Sequence, residues 1–151
     1  SICNVIQSRR GFFEAQVLDL FSGTGALAIE SLSRGASHAI AVDTRTDTCI
    51  KKNAQHCKVE DRLEIMKCTM ESALSRLQGK QFQLIFSDPP YEKGYIQKTL
   101  DLVEELQLLT EDGFLILERH KNETLELLPK WVLVKALSFG YTRVDILCRE
   151  P

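Results

Sequence analysis

The sequence predicts an α/β fold: a mostly parallel sheet with helices on both faces and an antiparallel hairpin at its C-terminal end. Three observations carry this. Short apolar runs alternate with helix-period segments from Val17 to Glu118, the order that parallel strands joined by crossover helices require. The first run ends in Ser22-Gly23-Thr24-Gly25, a strand-to-helix turn rich in glycine. Two last apolar runs flank Gly140-Tyr141, too close together for a crossover and well spaced for a hairpin.

The elements follow in order. Ser1 to Gln7 reads as helix. Val17 to Phe21 is a first strand, and Ala26 to Ser33 a helix with apolar residues at Leu27, Ile29 and Leu32, capped by Gly35. Ala39 to Asp43 is a second strand, followed by a helix over Thr46 to Cys57. Leu63 to Lys67 is a third strand and Met70 to Leu77 a third crossover helix. Gln83 to Ser87 is a fourth strand. Tyr95 to Leu108 is amphipathic, with Ile96, Leu100, Val103 and Leu106 on one face. Phe114 to Glu118 is a fifth strand. Trp131 to Ser138 and Thr142 to Cys148 form the closing hairpin.

Composition narrows the class. The chain has 151 residues, 44% hydrophobic and 26% charged, enough for one domain with a proper core. No apolar stretch approaches the ~20 residues that span a bilayer. Cys3, Cys49, Cys57, Cys68 and Cys148 are odd in number and irregularly spaced, so they read as reduced, mostly buried thiols of a cytoplasmic protein. A zinc site from Cys49, His56 and Cys57 has the wrong ligand spacing. The formal net charge of −2 is not that of a strongly basic nucleic-acid binder. Ser1 is not a methionine and sits inside a helical pattern, so a single domain lacking an upstream segment is expected.

Asp88-Pro89-Pro90-Tyr91 follows the fourth strand. Neither proline has an N–H to donate, so the chain must leave the sheet at Asp88. A carboxylate and an aromatic ring are then held together on a stiff turn. An exocyclic base amine suits that grip. Its lone pair is delocalised into the ring, and accepting its two N–H bonds favours a pyramidal, nucleophilic nitrogen. Asp88 supplies one acceptor and the Pro89 carbonyl the other, Pro90 holds the turn, and Tyr91 stacks on the base.

The electrophile belongs at the first turn. In a doubly wound sheet, ligands lie beyond the carboxyl ends of the strands. Gly23 and Gly25 lack Cβ atoms and so admit a ligand to the backbone. Asp43, ending strand two, can accept both hydroxyls of a ribose. Gly23, Gly25 and Ala28 with Asp43 also fit a dinucleotide fingerprint, so an NAD-dependent dehydrogenase is a rival. Asp19 counts against it, because a carboxylate there suits a positive ligand such as the amino-acid end of a sulfonium cofactor. The Asp88 turn counts against it too, since hydride transfer has no use for it.

Asp19-Leu-Phe-Ser-Gly-Thr-Gly-Ala-Leu, Glu30-Ser-Leu-Ser-Arg-Gly-Ala36 and Asp88-Pro-Pro-Tyr together resemble the bacterial methyltransferases that modify a guanine amine of small-subunit ribosomal RNA. The similarity runs over nearly the whole chain, Glu118 included. It implies a class I, Rossmann-like methyltransferase with a seven-stranded sheet, S-adenosyl-L-methionine as cofactor, and ribosomal RNA or the small ribosomal subunit as partner to a monomer. It implies cofactor contacts from Asp19, Phe21, Ser22, Gly23, Thr24, Gly25, Asp43, Thr44, Thr69, Met70 and Asp88, and catalysis at Asp88, Pro89, Pro90 and Tyr91. Thr69 stands where the family usually has an acid facing adenine, and can still accept a hydrogen bond. The family also begins earlier, with a basic segment. Other acceptors compatible with the motif are adenine in nucleic acid and a protein glutamine, and a fold that binds cofactor without turnover is a further alternative. Lys93, Lys98, Arg119, His120 and Lys121 are candidates for phosphate contacts.

Overall fold

The computed structural model describes residues 1–45, 48–91 and 94–151. Strands β1 (Gln16–Leu20), β2 (His38–Asp43), β3 (Leu63–Lys67), β4 (Phe82–Ser87), β5 (Leu109–His120), β6 (Trp131–Phe139) and β7 (Thr142–Arg149) form one sheet in the order β3-β2-β1-β4-β5-β7-β6. The pairs up to β5 are parallel, and β7 runs antiparallel between β5 and β6. The strand order reverses between β1 and β4, so their carboxyl ends frame the crevice where such sheets take ligands.

Helices cover both faces. α1 (Ile2–Arg9), α2 (Ala26–Ser33) and α3 (Thr48–His56) bury Ile6, Ile29, Leu32 and Ile50 against one side of the sheet. α4 (Met70–Arg76) and α5 (Tyr95–Glu105) bury Leu74, Ile96, Leu100 and Val103 against the other. β1 shows why two cores form from one strand: Leu18 and Leu20 face α4 and α5, while Val17 faces α1 and α2. Each helix start and stop has a local cause. Ser1 Oγ accepts the Asn4 N–H at 3.2 Å, and Thr69 caps α4 by accepting from Ser72 at 3.1 Å. Gly35 (φ +115°) ends α2, with the Ala36 N–H returning to the Ser31 carbonyl at 3.1 Å.

Among the boundaries that differ from expectation, three shape the sheet around β5. α5 ends at Glu105 rather than Leu108, because Gln107 turns left-handed (φ +51°) and drops Leu108 into the core. β5 starts at Leu109, not Phe114, since Leu109 already pairs with Phe82. The irregularity between Phe82 and Leu84 takes up the offset there. Gly113 lies in this stretch, where an added Cβ would sit 2.9 Å from the Gln83 carbonyl. Finally, Arg119 and His120 are strand residues paired with Arg143 and Thr142, not loop. The expected start of α3 at Thr46 lies outside the described residues. Of the cysteines only Cys3 is buried; Cys49 and Cys57 are exposed on or beside α3. No described helix is long and apolar enough to cross a membrane.

Candidate functional site

β1 ends at Leu20 because Phe21 turns left-handed (φ +57°), and Gly23 (φ +60°) and Gly25 (φ +79°) follow in the same region. The Ser22 N–H bonds the Val42 carbonyl at 2.8 Å, tying the turn to β2. The two glycines serve different purposes. An added Cβ on Gly23 would meet nothing within 4 Å, so this backbone borders open space. On Gly25 it would sit 2.9 Å from Ile50 Cγ2, so Gly25 is needed for α3 to pack.

Asp19, expected among the cofactor contacts, is engaged within the protein. It is 2% exposed and lies beneath the turn, accepting from Ser22 Oγ at 2.8 Å and from the Ala28 N–H at 3.3 Å. Strand alternation places it on the α2 side with Val17, where it braces the helix start. Burial pushes its carboxyl up to about 7 despite these bonds, with Asp88 and Asp43 adding repulsion. Asp43, at the end of β2, turns its nearly buried carboxylate onto the glycine loop. Its Oδ2 accepts the Gly23 N–H at 2.7 Å and its Oδ1 the Arg45 N–H at 2.9 Å. Burial would raise this carboxyl, but those bonds and the Arg45 charge outweigh it and hold it below the usual carboxylate range. A carboxylate has about four lone-pair sites, so Asp43 keeps acceptor capacity for hydroxyls. Thr44 follows it and is exposed.

The acceptor side is built from β4 and β5. Pairing of Ser87 with Leu117 sets Asp88 beside Glu118. The two carboxyls share a hydrogen bond, and both are raised, each first by burial. The shared bond draws Asp88 down against its burial, while that bond and the Asp88 charge add to the rise of Glu118. Pro89 is buried, while Asp88 and Pro90 lie beyond the carboxyl end of the central strand β4 and are exposed as whole residues, with the Asp88 carboxyl partly desolvated against Glu118. Tyr91 is 45% exposed and stacks on His120, with centroids 4.5 Å apart and planes 3° from parallel. Phe21 meets the Tyr95 ring edge-on at 5.4 Å, joining the glycine turn to the first residue of α5.

Other expected residues take different positions. Met70 is 2% exposed and its sulfur lies 3.2 Å from Thr99 Oγ1, so its side chain is core. Thr69 offers its hydroxyl to Ser72 as a cap. Lys98 is bound to Glu71 at 2.8 Å. Lys93 lies outside the described residues. Arg119 is held by buried Asp145 at 2.7 Å. Among the described residues no group of three or more His, Cys, Asp or Glu is placed to hold a metal ion. From sequence, Glu118 belonged to the family resemblance and His120 to the phosphate candidates, neither as a neighbour of the Asp88 turn, and Tyr141 was not a candidate. An acid at the carboxyl end of the strand next to β4 was the available signal for Glu118. For the two rings the signal was strand register, which the sequence alone does not supply.

A model of the family described as "Conserved hypothetical protein 95" matches residues 1–148. The Bacillus subtilis protein "Putative rRNA methyltransferase YlbH" is 34% identical over 134 residues, covering 85% of this chain and 73% of its own length. "Ribosomal RNA small subunit methyltransferase D" of Buchnera aphidicola is 29% identical over 123 residues, covering 80% of this chain. The chain spans only 64% of that relative. The solved Escherichia coli structure "Putative methyltransferase yhhF" aligns with a TM-score of 0.86 at 25% identity, over 99% of this chain and 82% of that one.

Proposed function

The chain belongs to the conserved hypothetical protein 95 family, and from that membership we propose that it methylates the exocyclic amine of a guanine in small-subunit ribosomal RNA. Its sheet is the class I methyltransferase fold, whose methyl donor is S-adenosylmethionine. When bound, that cofactor supplies a methyl group activated on a sulfonium.

The residues present fit such a cation better than a dinucleotide. A pyrophosphate needs free N–H donors at the start of α2. Here the Ala28 N–H is taken by Asp19 and the Gly23 N–H of the preceding turn by Asp43, which leaves fewer donors for a pyrophosphate. What lies around the turn is negative, with the charges of Asp88 and Asp43 felt at Asp19. Gly23 leaves its backbone open to a ligand, and Asp43 holds the hydroxyls of a ribose.

The Asp88–Glu118 carboxyl pair carries the choice of guanine. Guanine presents N1–H and both N2–H groups as adjacent donors. Adenine sets an acceptor, N1, beside its amine. Two carboxyls and the Pro89 carbonyl form a field of acceptors, which matches guanine and repels adenine N1. Donors from the base favour the ionised forms and draw the shared proton out. Asp88 would then orient the amine and hold the proton it gives up, Pro89 would accept the second N–H, and Tyr91 would stack on the flipped base.

Incubation with labelled S-adenosylmethionine and small-subunit ribosomal RNA or particles should place label on guanine N2. Asp88→Ala should lower transfer at least ~100-fold while S-adenosylhomocysteine affinity stays within a few-fold. Label on adenine, on DNA or on a glutamine side chain would overturn the guanine reading.

A further inference from the structure

Beyond the acceptor turn, the stack continues. His120 lies between Tyr91 and a third ring, Tyr141, at 4.5 Å and 5.8 Å, with planes within 7° of parallel. The register of β5 against β7 brings His120 opposite Thr142, and the Lys121 N–H bonds the Tyr141 carbonyl at 2.8 Å. His120 is fixed in its plane: its Nδ1 accepts the Asn122 N–H at 3.1 Å, and its own backbone N–H bonds Glu123 Oε1 at 3.1 Å.

Tyr141 is 72% exposed at the tip of the β6–β7 hairpin, next to Gly140 (φ +61°). Hairpin tips favour Gly, Asn and Asp for their backbone freedom. A tyrosine there covers no core. Lys121 Nζ stands 5.4 Å from its ring centre, an ammonium beside a flat apolar face. A cation and a series of near-parallel rings is the chemistry that holds single-stranded nucleic acid. The spacing within the ladder leaves no room for a base between rings, so a base must stack on its outer end.

We propose that this ladder is a second binding site for the RNA strand, with Tyr141 stacking a nucleobase other than the target and Lys121 meeting a neighbouring phosphate. The inference deepens the reading of Asp88 as the acceptor site and rests on it for the direction of the strand. The target base occupies the Tyr91 end and the flanking base the Tyr141 end, so the strand is gripped at two points. Ring contacts carry little sequence information, so this site adds affinity and register more than choice of base.

The test is anisotropy of a fluorescein-labelled single-stranded oligoribonucleotide at low salt, with wild-type chain, Tyr141→Ala and Tyr141→Phe. Loss of one stacking contact should weaken binding roughly 5- to 100-fold in Tyr141→Ala. Tyr141→Phe keeps the ring and should bind within about two-fold of wild type. Wild-type affinity in Tyr141→Ala, or no RNA binding by the wild type, overturns the proposal. Unchanged S-adenosylhomocysteine binding shows that the variant is folded. Methyl transfer by Asp88→Ala separates the two ideas: full transfer there removes the acceptor reading and leaves a Tyr141-dependent loss of RNA affinity standing, whereas normal Tyr141→Ala affinity removes the ladder and leaves Asp88 untouched.

Discussion

Asp88, one residue past β4, and Glu118, in β5, meet carboxyl to carboxyl and share a hydrogen bond. Each is raised from its ordinary range, first by burial. Glu118 therefore keeps Asp88 ionised to lower pH than burial alone would allow. Removing it with Glu118→Ala should move the acid limb of the kcat profile to higher pH, because Asp88 loses a donor to its charged form. Glu118→Gln restores a donor and should move the limb back. Identical acid limbs in wild type and Glu118→Ala would show that Asp88 ionisation does not govern turnover.

Asp19 links the same region to stability. Its carboxyl is raised to about 7 in the folded chain from 3.8. A raised carboxyl favours the fold while protonated, and that contribution is lost as pH rises from the unfolded value through the folded one. Stability should therefore fall between about pH 4 and pH 7. Asp19→Asn keeps one acceptor oxygen for the Ser22 hydroxyl and the Ala28 N–H but cannot ionise. Urea unfolding at several pH values should show the variant gaining on wild type across that window, by an amount on the order of a few kcal/mol. A constant gap from pH 4 to pH 8 would contradict the assignment.

The glycines of the first turn should separate in their effects. Alanine at either pays ~1–2 kcal/mol of left-handed strain. Gly25→Ala must also displace Ile50, whose Cγ2 would lie 2.9 Å from the new Cβ, so its stability loss should be the larger. Gly23→Ala meets nothing in the protein. Its new methyl projects where the cofactor is proposed to lie, so its loss should appear mainly in S-adenosylhomocysteine affinity. Calorimetric titration beside thermal unfolding reads both quantities, and equal affinities in Gly23→Ala and wild type would remove Gly23 from the cofactor contacts.

Asp145 is 2% exposed and binds both Arg119 and Arg143 at 2.7 Å. Arg119 is itself nearly buried, its side chain 11% exposed. Asp145→Ala leaves that cation without its anion, a change that typically costs ~3–5 kcal/mol. Chemical unfolding at neutral pH should show it, with Asp145→Asn intermediate. A loss below ~1 kcal/mol would mean that solvent reaches the pair.

Much of this protein was legible in its residues. Alternating apolar periods and the Ser22–Gly25 turn determined the parallel sheet, and the paired prolines determined that the chain leaves β4 at Asp88. These are local consequences of backbone geometry, which sequence states directly. The signature stretch Glu30–Ala36 was legible too, though its work is structural: Arg34 bonds Glu30 and reaches Asn4 of α1 at 2.9 Å, away from the acceptor turn. Tertiary structure decided what depended on neighbours remote in the chain. That Asp19 braces the start of α2 is seen only once the helix has folded over it. Glu118 becomes Asp88's partner only because β5 lies beside β4. His120 and Tyr141 join Tyr91 only through the antiparallel register of β5 and β7. Sequence determined which groups stand at strand ends; which of them touch was set by the order and register of the strands, because a contact between distant residues exists only once the sheet has formed.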